Sequence, residues 1–100
     1  MLVIRCMLVV KPSRRVQFLT AVSKLVSASR MIDGVINYDI CETTTEPNTF
    51  IAIVQFENED AMHRQGEKAF APVSAMMNST LAKPIEGTIF DVAKTTTLEA

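Results

Sequence analysis

The sequence predicts a single α+β domain, in which two helices accompany a four-stranded antiparallel sheet. The chain has 100 residues, of which 48% are apolar and 21% are charged, and this is the size and composition of one globular domain. Four short runs rich in Val, Ile and Phe indicate strands, and two longer stretches with apolar residues at helical spacing indicate helices. Their order, β-α-β-β-α-β, is that of the ferredoxin-like plan.

The first third of the chain predicts a buried strand followed by an amphipathic helix. Residues 2–10 are apolar apart from Arg5, which is typical of a central strand covered on both faces. Pro12 and Ser13 then mark the entry to a helix over residues 14–30, since proline is favoured in the first helical turn. The apolar stripe of that helix belongs to the core and comprises Phe18, Leu19, Val22, Leu25 and Val26.

The middle of the chain predicts a β-hairpin. A turn at Asp33–Val35 leads into a second strand over residues 35–42. The polar residues 43–48 form the hairpin loop, and residues 49–57, rich in Ile, Val and Phe, form the third strand.

The last third predicts a capped helix and a final strand. Asn58 is the expected N-cap of a helix that continues to about residue 69. Gly66 inside it costs about 1 kcal/mol relative to alanine, which points to close packing or a pocket there. Residues 71–82 add a further helical turn or two, and residues 85–92 form the last strand. We expect residues 1–94 to form the domain and residues 95–100 to form a frayed tail.

The cysteines and the single histidine predict neither a disulfide nor a metal site. In the ferredoxin-like plan the third strand lies between the first and the second, which separates Cys6 from Cys41. Both are expected to be small buried hydrophobic residues. There is no Cys-x-x-Cys pair and no glycine-rich dinucleotide loop. We therefore expect no metal and no nucleotide or flavin cofactor.

Charge and hydropathy restrict the partners. The formal net charge is −1, with the bases concentrated in residues 1–30 and the acids in residues 31–60. No aromatic residues alternate with the bases, so nucleic-acid binding is not expected. No apolar run approaches the roughly 20 residues of a membrane span, and the first strand lacks a cleavage site, so we expect a soluble cytoplasmic protein. The high apolar content favours a dimer that covers one sheet face.

Three stretches together resemble the antibiotic biosynthesis monooxygenase family over about residues 2–92: VVKPSRRVQFLTAVSKLVSASRMIDGVINYDI, EPNTFIAIVQFENEDAMHR and GTIFDV. The resemblance implies a homodimer in which two sheets pack face to face, with a pocket in each subunit between its sheet and its helices. It also implies oxidation of aromatic polyketides or quinols by O₂ without metal or flavin. Related branches degrade haem or isomerise lactones, so the family predicts the fold better than the reaction.

The sequence departs from the family pattern at several positions. Many members have Glu-x-Trp at the end of the third strand, where this chain has Val54 and Phe56. Many have a histidine four residues after the alanine that opens the second helix, where this chain has Gln65. The haem-degrading branch has an asparagine on the first strand, where this chain has Arg5. Haem degradation is therefore disfavoured.

Two ionisable residues are candidates for catalysis. Arg5, the one charge in an apolar strand, is expected to line the pocket and stabilise an anion. The alternative is a structural ion pair with an acid such as Asp39 or Glu57, or with an acid across the dimer interface. His63 is a candidate proton acceptor, but a surface imidazole beside acidic side chains is the favoured interpretation.

The predicted substrate pocket contains four aromatic residues and one methionine: Tyr38, Phe50, Phe56, Met62 and Phe70. The resulting hypothesis is a cofactor-independent monooxygenase that oxidises a small electron-rich aromatic compound, such as a quinol or anthrone, with O₂. The alternatives are a non-catalytic ligand-binding or stress-related protein of the same fold and, as a weaker option, a lactone isomerase.

Overall fold

The computed structural model describes residues 1–99 and contains one four-stranded sheet. The strands are β1 (Leu2–Val9), β2 (Val35–Glu42), β3 (Thr49–Phe56) and β4 (Glu86–Asp91). They lie in the order β2-β3-β1-β4, and every neighbouring pair is antiparallel. The predicted α+β, ferredoxin-like architecture is confirmed, including the position of β3 between β1 and β2.

The helices cover one face of this sheet. A short 3₁₀ turn (Pro12–Arg14) leads into α1 (Arg15–Arg30). The second helical region consists of α2 (Glu59–Gln65), a π-helical segment (Gly66–Phe70) and α3 (Ala71–Ser79). The sequence pattern predicts an interruption near residue 70, but the backbone stays helical through the junction, and only the hydrogen bonding changes from α to π.

Local chemistry fixes the start of α2 and the turn beside it. The Asn58 side chain accepts a hydrogen bond from the Ala61 backbone N–H at 2.9 Å, as expected for an N-cap. Gly34 in the preceding turn has φ +89°, and a Cβ there would lie 2.6 Å from Ala61 Cβ. Arg64 Nη2 donates to the Asp33 carbonyl at 2.9 Å. The turn before β2 therefore fits closely against α2.

A second polar cluster holds the β2–β3 loop against α1. Arg15 donates to both carboxylate oxygens of Glu42, at 2.6 and 2.7 Å, and to Asn48 Oδ1 at 2.9 Å. Glu42 also accepts from the Asn48 backbone N–H at 2.8 Å, which supports the left-handed conformation of Asn48 at φ 60°. The Arg15 guanidinium lies 5.5 Å from the centre of the Phe50 ring. These contacts fix the end of β2, the start of β3 and the first turn of α1 relative to one another.

The two faces of the sheet differ in environment. On the inner face, under the helices, Leu8, Ala52, Val54 and Phe56 are at most 5% exposed. On the outer face Arg5 pairs across to Ile53 and Thr88, and no helix covers these residues. The prediction that β1 is buried on both faces is therefore wrong for the isolated chain.

The cysteines lie on opposite faces of the sheet. Both are free: Cys6 is half-buried on the inner face, whereas Cys41 is exposed on the outer face. The expectation that both are buried therefore holds only in part for Cys6 and is wrong for Cys41, because Cys41 points away from the helices.

Two further features complete the fold. Across residues 1–99 no helix has the length and apolar character needed to cross a bilayer. After β4 the chain has no regular secondary structure over residues 94–99. The last residue of the predicted tail, Ala100, lies outside the described residues.

Candidate functional site

A half-enclosed cavity of about 230 Å³ lies between the inner face of the sheet and the helices. Its walls come from both helical regions, from β1, β2 and β3, and from Ile85 just before β4. Most of the lining side chains are apolar, namely Ile4, Leu8, Leu25, Ala52, Val54, Phe56, Phe70, Met77 and Ile85. The polar side chains are Cys6, Tyr38 and Gln65, and Gly66 completes the wall.

The pleat of β1 decides which of its residues reach the cavity. Successive strand side chains point to opposite faces, so Ile4, Cys6 and Leu8 face inward and line the cavity. Arg5 lies between them and points to the outer face, where it is exposed. The expectation that Arg5 lines the pocket is therefore wrong. Alternate residues of β1 face the cavity, and Arg5 is one of the residues that face the other way.

Three of the five predicted pocket residues line the cavity: Tyr38, Phe56 and Phe70. Phe50 is on the inner face but packs against Phe18, with ring centres 4.8 Å apart, and lies outside the lining. Met62 is half-buried against the core and also lies outside it.

His63 lies on the protein surface. Its side chain is 63% exposed, and Nε2 is 3.3 Å from Glu59 Oε1, one helical turn earlier. It is not among the residues that line the cavity. This is the wet, acidic environment that the sequence favours for it.

Tyr38 brings a hydroxyl group to the cavity from β2. The residue is 6% exposed, and its hydroxyl has no hydrogen-bond partner within residues 1–99. Burial, with a smaller effect of the nearby Cys6 side chain, raises the pKa of Tyr38 to about 12. The group is therefore a neutral phenol over the physiological range, able both to donate and to accept a hydrogen bond.

Gln65 brings a carboxamide to the cavity from the end of α2. Its Nε2 donates to Ser29 Oγ on α1 at 3.1 Å, and Ser29 is completely buried. In the described part of the chain only Arg14 Nε is a buried side-chain polar atom without a partner. The Gln65 oxygen accepts no hydrogen bond within residues 1–99 and is not fully enclosed, and the residue lines the cavity.

Gly66 keeps part of the cavity empty. Its backbone has ordinary helical angles, φ −58° and ψ −45°, and a Cβ there would meet no atom within 4 Å. A helical glycine costs about 1 kcal/mol relative to alanine, and here neither backbone geometry nor a close contact requires it. Its effect is to leave space.

Phe70 and Ile85 lie at the edge of the cavity. These two residues line both the cavity and a shallow outer depression next to it. They come from the end of the π-helical segment and from the approach to β4.

Gln65 and Gly66 lie outside the predicted pocket set, yet both line the cavity. Each carries a sequence signal. Gln65 is a polar residue next to the apolar face of a helix, at the position where many family members have histidine. Gly66 is a glycine inside a predicted helix, where it is destabilising without a compensating reason.

The chemistry available in the cavity is uncharged. No Asp, Glu, His, Lys or Arg side chain is among the lining residues. The two ionisable groups are both held in their neutral forms, because burial raises the pKa of the Cys6 thiol as well as that of Tyr38. Throughout residues 1–99, no three His, Cys, Asp or Glu side chains converge as metal ligands would. The cavity can exclude water, hold an aromatic ring and offer neutral hydrogen bonds.

Comparison with known proteins identifies relatives along most of the chain. The family model described as antibiotic biosynthesis monooxygenase matches residues 1–69. YcnE of Bacillus subtilis, provisionally named a monooxygenase, is 33% identical over 87 residues, which is 86% of this chain and 92% of YcnE.

Solved structures share the fold at lower sequence identity. Rv0793 from Mycobacterium tuberculosis has a TM-score of 0.88 at 13% identity, covering 96% of this chain and 98% of its own. SnoaB from Streptomyces nogalater, described as a cofactor-independent oxygenase, has a TM-score of 0.80 at 15% identity, covering 94% of each chain. With the family match over more than half of the chain and a relative 33% identical along most of its length, this chain belongs to the antibiotic biosynthesis monooxygenase family.

Proposed function

We propose that the protein is a cofactor-independent monooxygenase that oxidises a small electron-rich aromatic compound, such as a quinol, with O₂ in the cavity between sheet and helices. The observation that carries the proposal is the cavity itself: a half-enclosed apolar space with neutral hydrogen-bonding side chains, in a chain of this family. An SnoaB-like fold supports the kind of reaction, since SnoaB is described as a cofactor-independent oxygenase.

In such a reaction the substrate supplies all the electrons. A quinol and O₂ give a hydroxyquinone and water: one oxygen atom enters the ring, and the other leaves with two hydrogens that the quinol loses on oxidation. The protein's contribution would be to hold the ring in a dry site next to O₂. The Tyr38 hydroxyl, which keeps its proton because its pKa is about 12, would donate to negative charge that develops on a substrate oxygen.

A second function is ligand binding without turnover, and one observation favours it. A proton acceptor would speed the ionisation of a quinol, yet no ionised side chain lines the cavity. A protein that only sequesters a small hydrophobic compound requires no such base. The same observation weighs against a lactone isomerase, which needs a proton shuttle, so we do not propose that activity.

Oxygen uptake by metal-free protein separates these functions. The first substrate would be naphthalene-1,4-diol, a two-ring quinol. Its reaction with O₂ would give 2-hydroxy-1,4-naphthoquinone and water. Heat-inactivated protein reports the background autoxidation, and incorporation of one atom from ¹⁸O₂ identifies the enzymatic product. Larger anthrones would extend the panel.

A variant with a filled cavity, Gly66→Leu, provides the matched control. Saturable uptake that disappears in this variant supports the monooxygenase. Saturable binding with no uptake above background would leave the ligand-binding function and eliminate the enzyme.

We also propose that the protein is a homodimer that pairs through the outer face of the sheet, as the family resemblance implies. That face carries exposed apolar side chains, including Ile53 at 41% and Phe90 at 47% exposed, and no element within residues 1–99 covers it. Arg5 and Asp39 flank Ile53 in the register of the sheet. A two-fold axis through this face could therefore bring Arg5 of one subunit towards the acid of the other.

Light scattering coupled to size-exclusion chromatography tests the dimer. We expect Ile53→Lys to produce monomers, because it places a charge in the apolar face. Ile89→Lys is the matched control, since Ile89 is 57% exposed but pairs with Ile4 and lies on the opposite face. A wild-type monomer, or an Ile53→Lys dimer of unchanged affinity, would disprove this interface.

A further inference from the structure

We propose that Gln65, held in place by Ser29, accepts a hydrogen bond from a hydroxyl group of the ligand, so that the cavity selects neutral hydroxylated aromatics of one or two rings. The inference deepens the proposed function, on which the nature of the reaction rests. It concerns binding, and it can be tested without turnover.

The first argument is that the two polar groups of the Gln65 carboxamide have different environments. Its NH₂ group is engaged with Ser29 Oγ at 3.1 Å, on a completely buried residue of α1. Its oxygen has no donor within residues 1–99, although the residue is only 9% exposed and lines the cavity. The contact to Ser29 restrains the side chain so that the oxygen remains available to a ligand.

The second argument is the cost of leaving this oxygen without a partner. A desolvated acceptor that finds no donor is destabilising, and this penalty makes sites built to bind a hydroxyl group reject analogues that lack it. A bound ligand excludes water from the cavity, so a ligand with an O–H group satisfies the Gln65 oxygen and an apolar ligand of the same shape does not. Tyr38 is the only other residue that places a side-chain oxygen on the cavity wall.

The third argument concerns the charge and size of the ligand. An ionised ligand would be buried without a counter-ion, which is costly, because no charged side chain lines the cavity. The volume of about 230 Å³ exceeds the roughly 150 Å³ of an engineered apolar cavity that binds benzene. The volume is therefore sufficient for a ring system of one or two fused rings.

The experiment compares three naphthalenes that do not require turnover: 2-naphthol, 2-methylnaphthalene and 2-naphthoate. The first two have similar shapes and differ in the donor, whereas the third is an anion. Calorimetric titration measures the dissociation constants. The dissociation constant of methylnaphthalene divided by that of naphthol is the selectivity ratio. We expect Gln65→Met to lower this ratio about tenfold, with the loss falling on naphthol. Ser29→Ala, which releases the carboxamide, should lower it by a smaller factor, and naphthoate should not bind.

Gln17→Met is the matched control, because it makes the same change on an exposed position of α1 and should leave the ratio unchanged. A folded Gln65→Met variant with the wild-type ratio would overturn the proposal, and so would a wild-type protein that binds no naphthalene or binds naphthoate as tightly as naphthol. If Gln65→Met does not fold, the ratio for Ser29→Ala decides in the same way. Absent oxygen uptake with an intact ratio would reject the monooxygenase and leave this inference standing.

Discussion

Filling the space beside Gly66 should stabilise the protein and abolish ligand binding. Gly66→Ala replaces a helical glycine whose backbone angles suit any residue and whose Cβ would meet no neighbour within 4 Å. Alanine is favoured over glycine in a helix by about 1 kcal/mol. For a domain of 100 residues this free energy raises the melting temperature by about 4–8 °C.

Gly66→Leu extends the same change into the cavity. Leucine has a helix propensity close to that of alanine, and its side chain would bury apolar surface worth about 25 cal/mol per Å². An enclosed empty void of 230 Å³ would cost up to about 5.5 kcal/mol at about 24 cal/mol per Å³; because this cavity is half-open, the gain from filling it is smaller. We therefore expect a variant at least as stable as the wild type.

Thermal unfolding followed by circular dichroism, with and without 2-naphthol, measures both effects. A ligand at 100 times its dissociation constant stabilises a protein by about 2.7 kcal/mol. The melting temperature of the wild type should therefore rise with 2-naphthol, and that of Gly66→Leu should not change. Gly34→Ala gives the contrast: at φ +89° with a neighbour at 2.6 Å, this glycine is required, and its replacement should destabilise the protein. A Gly66→Leu variant that is less stable than the wild type, or that still responds to ligand, would refute this account of the cavity.

Three further predictions follow from the charged and titratable groups. Hydrogen bonds from Arg15 lower the pKa of Glu42 from 4.5 to about 2, so its stabilising effect is present above pH 4.5 and is lost towards pH 2. Urea midpoints of wild type and Glu42→Gln should therefore differ at pH 7 and converge at low pH. Tyr38 is the single tyrosine in a chain without tryptophan, so absorbance at 295 nm reports its ionisation alone. The folded protein should show little tyrosinate at pH 11 and the unfolded protein most of it, because the pKa rises from 10.0 to about 12 on folding; the associated stability is present below pH 10 and is lost as the pH rises towards 12. Arg5→Ala and His63→Ala should both leave naphthol binding unchanged, since neither side chain lines the cavity; a clear loss of affinity in a dimeric variant would contradict this placement.

The elements of the fold follow from local chemistry, which is why they are predictable. The Asn58 cap, the turn at Gly34, the alternation of apolar residues along β2 and the run of Ile, Val and Phe in β3 act over a few residues each. The order of the elements then limits the topology, because a ferredoxin-like sheet places β3 between β1 and β2. The family resemblance, resting on the same stretches, is confirmed by the match over residues 1–69.

The site was less predictable because it depends on the orientation of side chains. In β1 a shift of one position exchanges Arg5 for Ile4 or Cys6 at the cavity wall. Phe50 and Phe56 share one face of β3, yet only Phe56 lines the cavity, because Phe18 fills the space beside Phe50. Such competition for space between distant elements has no signature in a single sequence. The catalytic roles of Arg5 and His63 stay predictions. Neither side chain lines the cavity, so neither would contact a ligand bound there.

The π-helical segment at residues 66–70 lets the second helical region absorb a change in length at one place. A π-helical turn closes i→i+5 hydrogen bonds and so holds about one residue more than the turn of an α-helix. Removing one residue from residues 66–70 would therefore let an unbroken α-helix form with α3 facing nearly the same way. Removing one residue of α3 ahead of Met77 would instead rotate the rest of that helix by about 100°. Met77, which is 1% exposed and closes one side of the cavity, would then turn out of the core. A one-residue deletion in residues 66–70 would therefore change only the part of the cavity wall that this segment forms, whereas a deletion in α3 would dismantle the site. We expect natural variation in length to fall in the loops and in this segment, and a relative lacking one residue in this segment to have a cavity of different shape.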